Sequence, residues 1–310
     1  MQLLFWILIF IISLAVLMKG ADYFIDASEK IGKFLRLSPF LIGVTIVAMG
    51  TTLPELSTSL IATFNGQTEI VTATAIGSCI ANILLILGIA SLVVGTLSVE
   101  RSLIELDLPL LSLSTALVVI VAFDKQIVRG EGIILIIAYL IYMFYNMQSR
   151  KEHLDLWQKG GEFQKKHIFL LFFSLIAVFL GAKFSVSSLV NIAEIVHIPS
   201  AVAAITVLAI GTSLPELVVV IKEVMKNQHE TAVGDVLGAN IMNSLLVIGL
   251  PALFVNLTIS EDVFRIGLPF LIGVTLLYII SGISKKVYKW EGAMYLLIYI
   301  LFIGKLFKLF

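Results

Sequence analysis

The chain has 310 residues, 59% of them hydrophobic and 14% charged, with 21 basic and 21 acidic side chains. Soluble domains are about half apolar and a quarter charged, so this composition excludes a soluble globular protein. The zero formal charge leaves no electrostatic footprint for a nucleic-acid partner, and the single cysteine, Cys79, excludes an internal disulfide and is read as inert packing.

The apolar excess runs the whole length, with a mean hydropathy of +1.05. A hydrocarbon core of about 30 Å takes about 20 apolar residues per helical span. In chain order the runs place ten spans near 3–24, 38–63, 69–95, 103–123, 128–147, 167–190, 199–221, 231–256, 263–283 and 290–308. The runs are continuous, unlike the short alternating segments of a barrel. The first lacks a basic leader and a small-residue cleavage pattern and is kept as a span. Lys19, Asp22, Asp26 and Lys183 are read as snorkelling at the interface. The expected fold is an all-α polytopic membrane protein: a five-helix unit over 1–147, a linker over 148–166 and a second five-helix unit over 167–310.

Lysines and arginines set the orientation. With the N-terminus outside, fourteen lie in inner loops, among them Lys30, Lys33, Arg36, Arg101, Lys222 and Lys226, and five lie outside: Lys125, Arg129, Arg265, Lys305 and Lys308. Both termini are therefore expected outside a cell membrane, with the 148–166 linker cytoplasmic.

The chain is written twice. TIVAMGTTLPEL around residue 50 returns as TVLAIGTSLPEL around residue 211, and IGSCIANILLILG (76–88) as LGANIMNSLLVIG (237–249). One offset of 161 positions pairs Glu55 with Glu216, Asn82 with Asn243, Gly20 with Gly181 and Gln67 with Gln228 without a gap. Five spans per copy is an odd number, so the second copy enters the membrane from the opposite side, an architecture that places sites at the repeat interface near the midplane.

The repeated motif carries the chemistry. Pro54 and Pro215 lack an N–H and are expected to free the Gly50 and Gly211 carbonyls, loosening the turn over Ala48 to Thr51 and its counterpart. Glu55 and Glu216 follow directly. An ionised carboxylate at the bilayer centre costs at least about 2.5–3.5 kcal/mol, and no lysine or arginine lies within a few residues, so the countercharge is expected to be mobile: metal ions or protons. The hydroxyls of Thr51, Thr52, Thr212 and Ser213 adjoin, with Thr52 and Ser213 also able to back-bond within their helices. Ser78 and Asn82 share a helix face; Asn82 and Asn243 can serve as ligands or as interhelical hydrogen bonds. Gly77, Gly88, Gly238 and Gly249 permit close helix approach. Asp235, near the start of a span, is read as a helix cap. The oxygen-only set suits hard cations, and two carboxylates balance one Ca²⁺. No nucleophile–base set points to an enzyme, and no obligate protein partner or cofactor is indicated.

GTTLPE and GTSLPE, with GSCIAN and GANIMN, resemble the two alpha repeats of the sodium/calcium exchanger family, within the cation/calcium exchanger superfamily. The resemblance covers both halves. It implies a ten-helix antiporter of inverted five-helix repeats in which Na⁺ entry drives Ca²⁺ out by alternating access. It further implies Glu55 and Glu216 as central ligands, carbonyls of Thr51 and Thr212 at the Ca²⁺ position, and Asn82 and Asn243 at the centre. The hydroxyls of Thr51, Thr212 and Ser78, with the carbonyls of Ala48 and Ala209, would flank as Na⁺ positions. Spans 1 and 6 would slide over a fixed core. Ala239 stands where relatives often have serine, which removes a hydroxyl from a flanking position and keeps proton/calcium exchange as the alternative. Asn243 stands where potassium-dependent relatives have aspartate, which argues against K⁺ co-transport.

Overall fold

The computed structural model describes residues 2–98, 107–152, 164–196, 213–306 and 308. Its helices in chain order are α1 (Gln2–Phe34), α2 (Pro39–Phe64), α3 (Thr68–Val94), α4 (Asp107–Val121), α5 (Arg129–Glu152), α6 (Lys165–Ile195), α7 (Leu214–Met225), α8 (His229–Ala252), α9 (Val263–Ser284) and α10 (Lys289–Leu306). Each answers one expected span. Among the described residues, α1, α2, α3, α6, α8 and α9 contain stretches long and apolar enough to cross a bilayer. Of the expected spans, 103–106 and 199–212 lie outside the described residues, as do 153–163 of the linker.

Local chemistry fixes the helix starts. Ser38 caps α2 by accepting from Leu41 N at 3.3 Å, with Pro39 in the first turn, where its missing N–H costs nothing. Glu131 accepts from Val128 N at 2.9 Å, and Glu291 accepts from Tyr288 N at 2.7 Å, so α5 and α10 begin in the same way.

Four short strands join the helix ends: β1 (Thr96–Ser98), β2 (Gln126–Ile127), β3 (Leu257–Thr258) and β4 (Lys286–Tyr288). β1 pairs antiparallel with β4, setting Leu97 opposite Val287, and β2 pairs with β3, setting Ile127 opposite Leu257. These two ribbons are images of one another with the repeats exchanged. The same reciprocity holds elsewhere. A Cβ on Gly20 would lie 3.0 Å from Val178 N, and one on Gly181 2.7 Å from Leu17 N. Gly88 abuts the Gly292 carbonyl as Gly249 abuts that of Gly132. Cys79 and Asn240, themselves 161 positions apart, meet directly: Cys79 Sγ donates to Asn240 O at 3.5 Å and Asn240 Nδ2 to Cys79 O at 3.3 Å. Residues that meet their own counterparts lie on a pseudo-two-fold axis. The ribbons occupy opposite ends of the helices, so the axis runs across them, as an inverted repeat requires. The offset of 161 at Gly88 and Gly249 falls to 160 at Leu97 and Leu257, so the second copy is one residue shorter in between.

Burial divides into two clusters. The larger centres on α3 and α8, with Ile80, Ile83, Leu84, Ile241, Val247 and Ile248. A separate seam joins α1 to α6 through Leu17, Ala21, Phe24, Ile25, Val178 and Ala182, and touches Ile42 and Val47 of α2 and Leu214 and Val219 of α7. Asp22 and Asp26 of α1 do not merely snorkel. Lys222 Nζ lies 3.2 Å from Asp22 and Lys226 Nζ 2.7 Å from Asp26, tying α1 to α7.

The tightest approach to a neighbouring backbone is between α2 and α8. A Cβ on Gly43 would sit 2.1 Å from the Thr231 carbonyl, one on Gly234 2.4 Å from the Phe40 carbonyl, and one on Gly238 2.5 Å from the Val44 carbonyl. Because backbone and not side chain blocks the added atom, Gly43→Ala is expected to destabilise the protein by at least about 1–3 kcal/mol. Gly273→Ala, with no atom within 4 Å of the added Cβ, is expected to be neutral or stabilising by up to about 1 kcal/mol. Thermal unfolding of the two purified variants in detergent checks both; equal behaviour contradicts the packing argument.

Candidate cation site

The site forms where α2 and α7 face each other against α3 and α8. α2 widens at Gly43–Val47, where Ala48 N bonds the Gly43 carbonyl five residues back, and then runs α-helically over Ala48–Phe64 through Pro54. The expected loosening over Ala48 to Thr51 is therefore found one turn earlier, at the glycine pressed against Thr231, where the extra residue meets no Cβ. Matching wide turns start at Asn82 in α3 and at Asn243 in α8.

Glu55 and Glu216 are 1% and 2% exposed, and their carboxyl groups adjoin. Neither Glu55 oxygen has a hydrogen-bond partner, nor does Glu216 Oε2. Around them the buried Thr52 Oγ1, Ser78 Oγ, Asn82 Oδ1 and both amide atoms of Asn243 are also unpartnered. Each unmet buried polar group costs about 1–3 kcal/mol. Of these, Glu55 and Glu216, and Asn82 and Asn243, are repeat-equivalent pairs. Among the described residues no three His, Cys, Asp or Glu side chains converge as a metal cage, so a cation between Glu55 and Glu216 would complete its shell from amide, hydroxyl and carbonyl oxygens.

The sequence-read residues fall into place unevenly. Thr51, fully buried, turns its hydroxyl to Val47 O at 3.2 Å, Ala48 O at 3.3 Å and Asp235 Oδ1 at 3.4 Å. Of the adjacent pair Thr51 and Thr52, it is thus Thr51 that back-bonds within α2. Ser213 is 2% exposed and faces a cavity with Ser78. Asn82 Nδ2 donates to Asn240 Oδ1 at 3.0 Å, an interhelical bond that leaves Asn82 Oδ1 free. Thr212 and Ala209 lie outside the described residues. Ala239 is buried and brings no hydroxyl.

Asp235 does not cap α8. It lies within the helix, fully buried, accepts from Thr51 and keeps Oδ2 without a hydrogen-bond partner. The signal that could have found it was the one that exposed Glu55: a carboxylate in a run of small and apolar residues. Asn240 was also missed, because its counterpart is Cys79 and the repeat marks no polar residue there.

The helices and their reciprocal packing define a polytopic inverted-repeat membrane protein. A family model described as sodium/calcium exchanger protein matches residues 5–148 and 166–308, and the chain belongs to that family. It is 30% identical to sodium/calcium exchanger MaX1 of Methanosarcina acetivorans, over 97% of this chain and 98% of that one. It is 32% identical to inner membrane protein YrbG of Escherichia coli over 78% of each chain. Among solved structures, the sodium-calcium exchanger NCX_Mj soaked with zero Na⁺ and Ca²⁺ superposes with a TM-score of 0.85 at 28% identity, covering 98% of this chain and 99% of that one.

Beside the cluster, a Cβ on Gly50 would meet Phe24 Cζ of α1 at 2.5 Å. Gly50→Ala is therefore expected to wedge α1 away from α2 and to slow ion flux in proteoliposomes by about tenfold, with Phe24→Leu restoring much of the loss. A coupling of at least about 0.5 kcal/mol between the two substitutions marks direct contact; additive effects would show that Gly50 does not act through α1.

Proposed function

We propose that the chain is a secondary antiporter exchanging Na⁺ for Ca²⁺ at the Glu55–Glu216 pair. The observation that carries this reading is two adjoining, fully buried carboxyl groups from equivalent repeat positions, with three of their four oxygens lacking any donor. In a medium of low dielectric a pair of like charges needs a cation between them. One Ca²⁺, or several Na⁺, neutralises both, and only the neutralised site crosses the occluded state cheaply. Competition for the same oxygens is the coupling: whichever ion binds must leave before the other enters.

In this reading Asn82 Oδ1 and the Asn243 amide complete the centre. Thr51 and Thr212 offer carbonyls to Ca²⁺. Na⁺ flanks at the hydroxyls of Thr51, Thr212 and Ser78 and the carbonyls of Ala48 and Ala209, with Thr52 and Ser213 adjoining. The separate α1–α6 seam supports a pair of helices that slides over the α3–α8 core to expose the site alternately. The excess of basic residues on one side supports a cytoplasmic 148–166 linker, with both termini outside. Ala239, which supplies no hydroxyl opposite Ser78, supports proton/calcium exchange as the second reading.

Flux in proteoliposomes tests the proposal. Ca²⁺ uptake should follow an outward Na⁺ gradient, and Glu55→Gln or Glu216→Gln should each lower it by about 10²-fold or more, because removing one partner from a buried charge cluster costs about 3–5 kcal/mol. Uptake that ignores the Na⁺ gradient and follows a pH gradient would replace Na⁺ by H⁺. Near-normal flux in either glutamine variant would remove the pair from the mechanism.

A further inference from the structure

A second set of unpartnered oxygens lies away from the centre, where α1, α7 and α8 meet the start of α2. Glu223 is 0% exposed and neither of its carboxyl oxygens has a hydrogen-bond partner. It lines a cavity of about 60 Å³ with Ile25, Ser28, Glu29, Gln228 and Thr231. Ser28 Oγ, on a residue 1% exposed, and Gln228 Oε1 are also buried and unpartnered. Four oxygens on residues lining this small cavity, which Lys33 also lines, thus have no hydrogen-bond partner among the described residues. The neighbouring ammonium groups are committed elsewhere: Lys222 to Asp22, Lys226 to Asp22 and Asp26, and Lys33 to Glu29, whose other oxygen accepts from Gln228 Nε2 at 2.8 Å.

The cavity leads toward the central pair. Val47 lines it, and Val47 O accepts from Thr51 Oγ1 one helical turn further on, about 6 Å along the axis. Asp235 accepts from that same Thr51 Oγ1 at 3.4 Å. Glu216 and Glu223 of α7 and Asp235 of α8 are all buried, and each has a carboxyl oxygen without a hydrogen-bond partner among the described residues. The volume exceeds the roughly 10–15 Å³ needed for one water, so a hard cation fits with part of its hydration shell.

We propose that this cavity is a cation-binding way-station on the face of the α1–α2 and α7–α8 turns. Glu223, the Ser28 hydroxyl and the Gln228 amide oxygen hold a partly hydrated hard cation of the class the centre carries, and Asp235 passes it to the Glu55–Glu216 pair. The passage step rests on the transport reading of that pair, whereas the binding step does not. Oxygen-only ligation with one carboxylate at hand and a second behind it excludes soft metals and suits Ca²⁺ or Na⁺.

Two measurements test this. The first is calorimetric titration of purified Glu55→Gln/Glu216→Gln protein with Ca²⁺ and, separately, with Na⁺. The double variant should retain one weak site for at least one ion, lost on adding Glu223→Gln and weakened on adding Ser28→Ala. No binding of either ion, or binding indifferent to Glu223→Gln, overturns the proposal. The second is side-resolved flux in oriented vesicles. Glu223→Gln in the otherwise unaltered chain should raise the half-saturating Ca²⁺ concentration about tenfold at the way-station face and leave the other face unchanged. Equal changes at both faces are what a purely structural role gives, and they overturn the passage step. Failure of the central-site reading shows differently, as exchange that survives Glu55→Gln, and leaves the titration result standing.

Discussion

Two carboxyl groups set side by side in a low-dielectric interior are the constraint from which the rest of this structure follows. Neither Glu55 nor Glu216 has a lysine or arginine against it; Lys222 and Lys226, the nearest cations on α7, are drawn off to Asp22 and Asp26 of α1. A fixed ammonium at the centre would satisfy the pair permanently and leave nothing for an ion to do. The fold instead keeps water and fixed charge away by bringing backbones together. Gly43, Gly234 and Gly238 let α2 and α8 approach until carbonyl oxygens occupy the space of a methyl group. The stability of this packing offsets the cost of the unmet acceptors it encloses.

The two-fold places equivalent residues next to each other, and its imperfections show how the halves differ. Asn240 lies on the axis, and its Oδ1 accepts the Asn82 amide. The symmetry-related partner for Asn243 is Cys79, which offers a thiol in place of a carboxamide oxygen. A thiol is a weak acceptor, and both amide atoms of Asn243 are unpartnered. One substitution on the axis thus fixes the first asparagine and leaves the second to turn toward whatever occupies the centre. With Ala239 opposite Ser78, the second repeat has the less restrained and less hydroxyl-rich half of the site.

Span number, helical character and the burial of Glu55 and Glu216 were legible in the sequence because each rests on a local signal. A run of about 20 apolar residues can only be a span, and a glutamate after a proline inside such a run, written twice in register, can only face inward. What was not legible depends on distant chain segments. Asp235 reads as a cap until Thr51, far earlier in the chain, is seen to donate to it. Asp22 and Asp26 read as interfacial until α7 supplies their lysines. The wide turn at Gly43 answers Thr231 on α8, so the motif around Pro54 alone points one turn too late. The repeat itself hid Glu223 and Asn240, since a search for matched polar residues passes over those whose counterparts are Ala62 and Cys79.

That asymmetry bears on how an inverted repeat acquires direction. An exact two-fold would give both faces the same route to the centre. Here the positions equivalent to the buried Glu223 and Asp235 are Ala62 and Thr74, so these two carboxylates of the second repeat have no image in the first. A carboxylate beside the path lowers the energy of a dehydrating cation by an amount that depends on the local dielectric, whereas alanine contributes nothing and threonine only a dipole. The centre can therefore remain nearly symmetric, as neutralising one ion between two equal glutamates demands, while the approaches differ. Specificity then belongs to the residues the repeats share, and the inequality of the two faces to the few they do not.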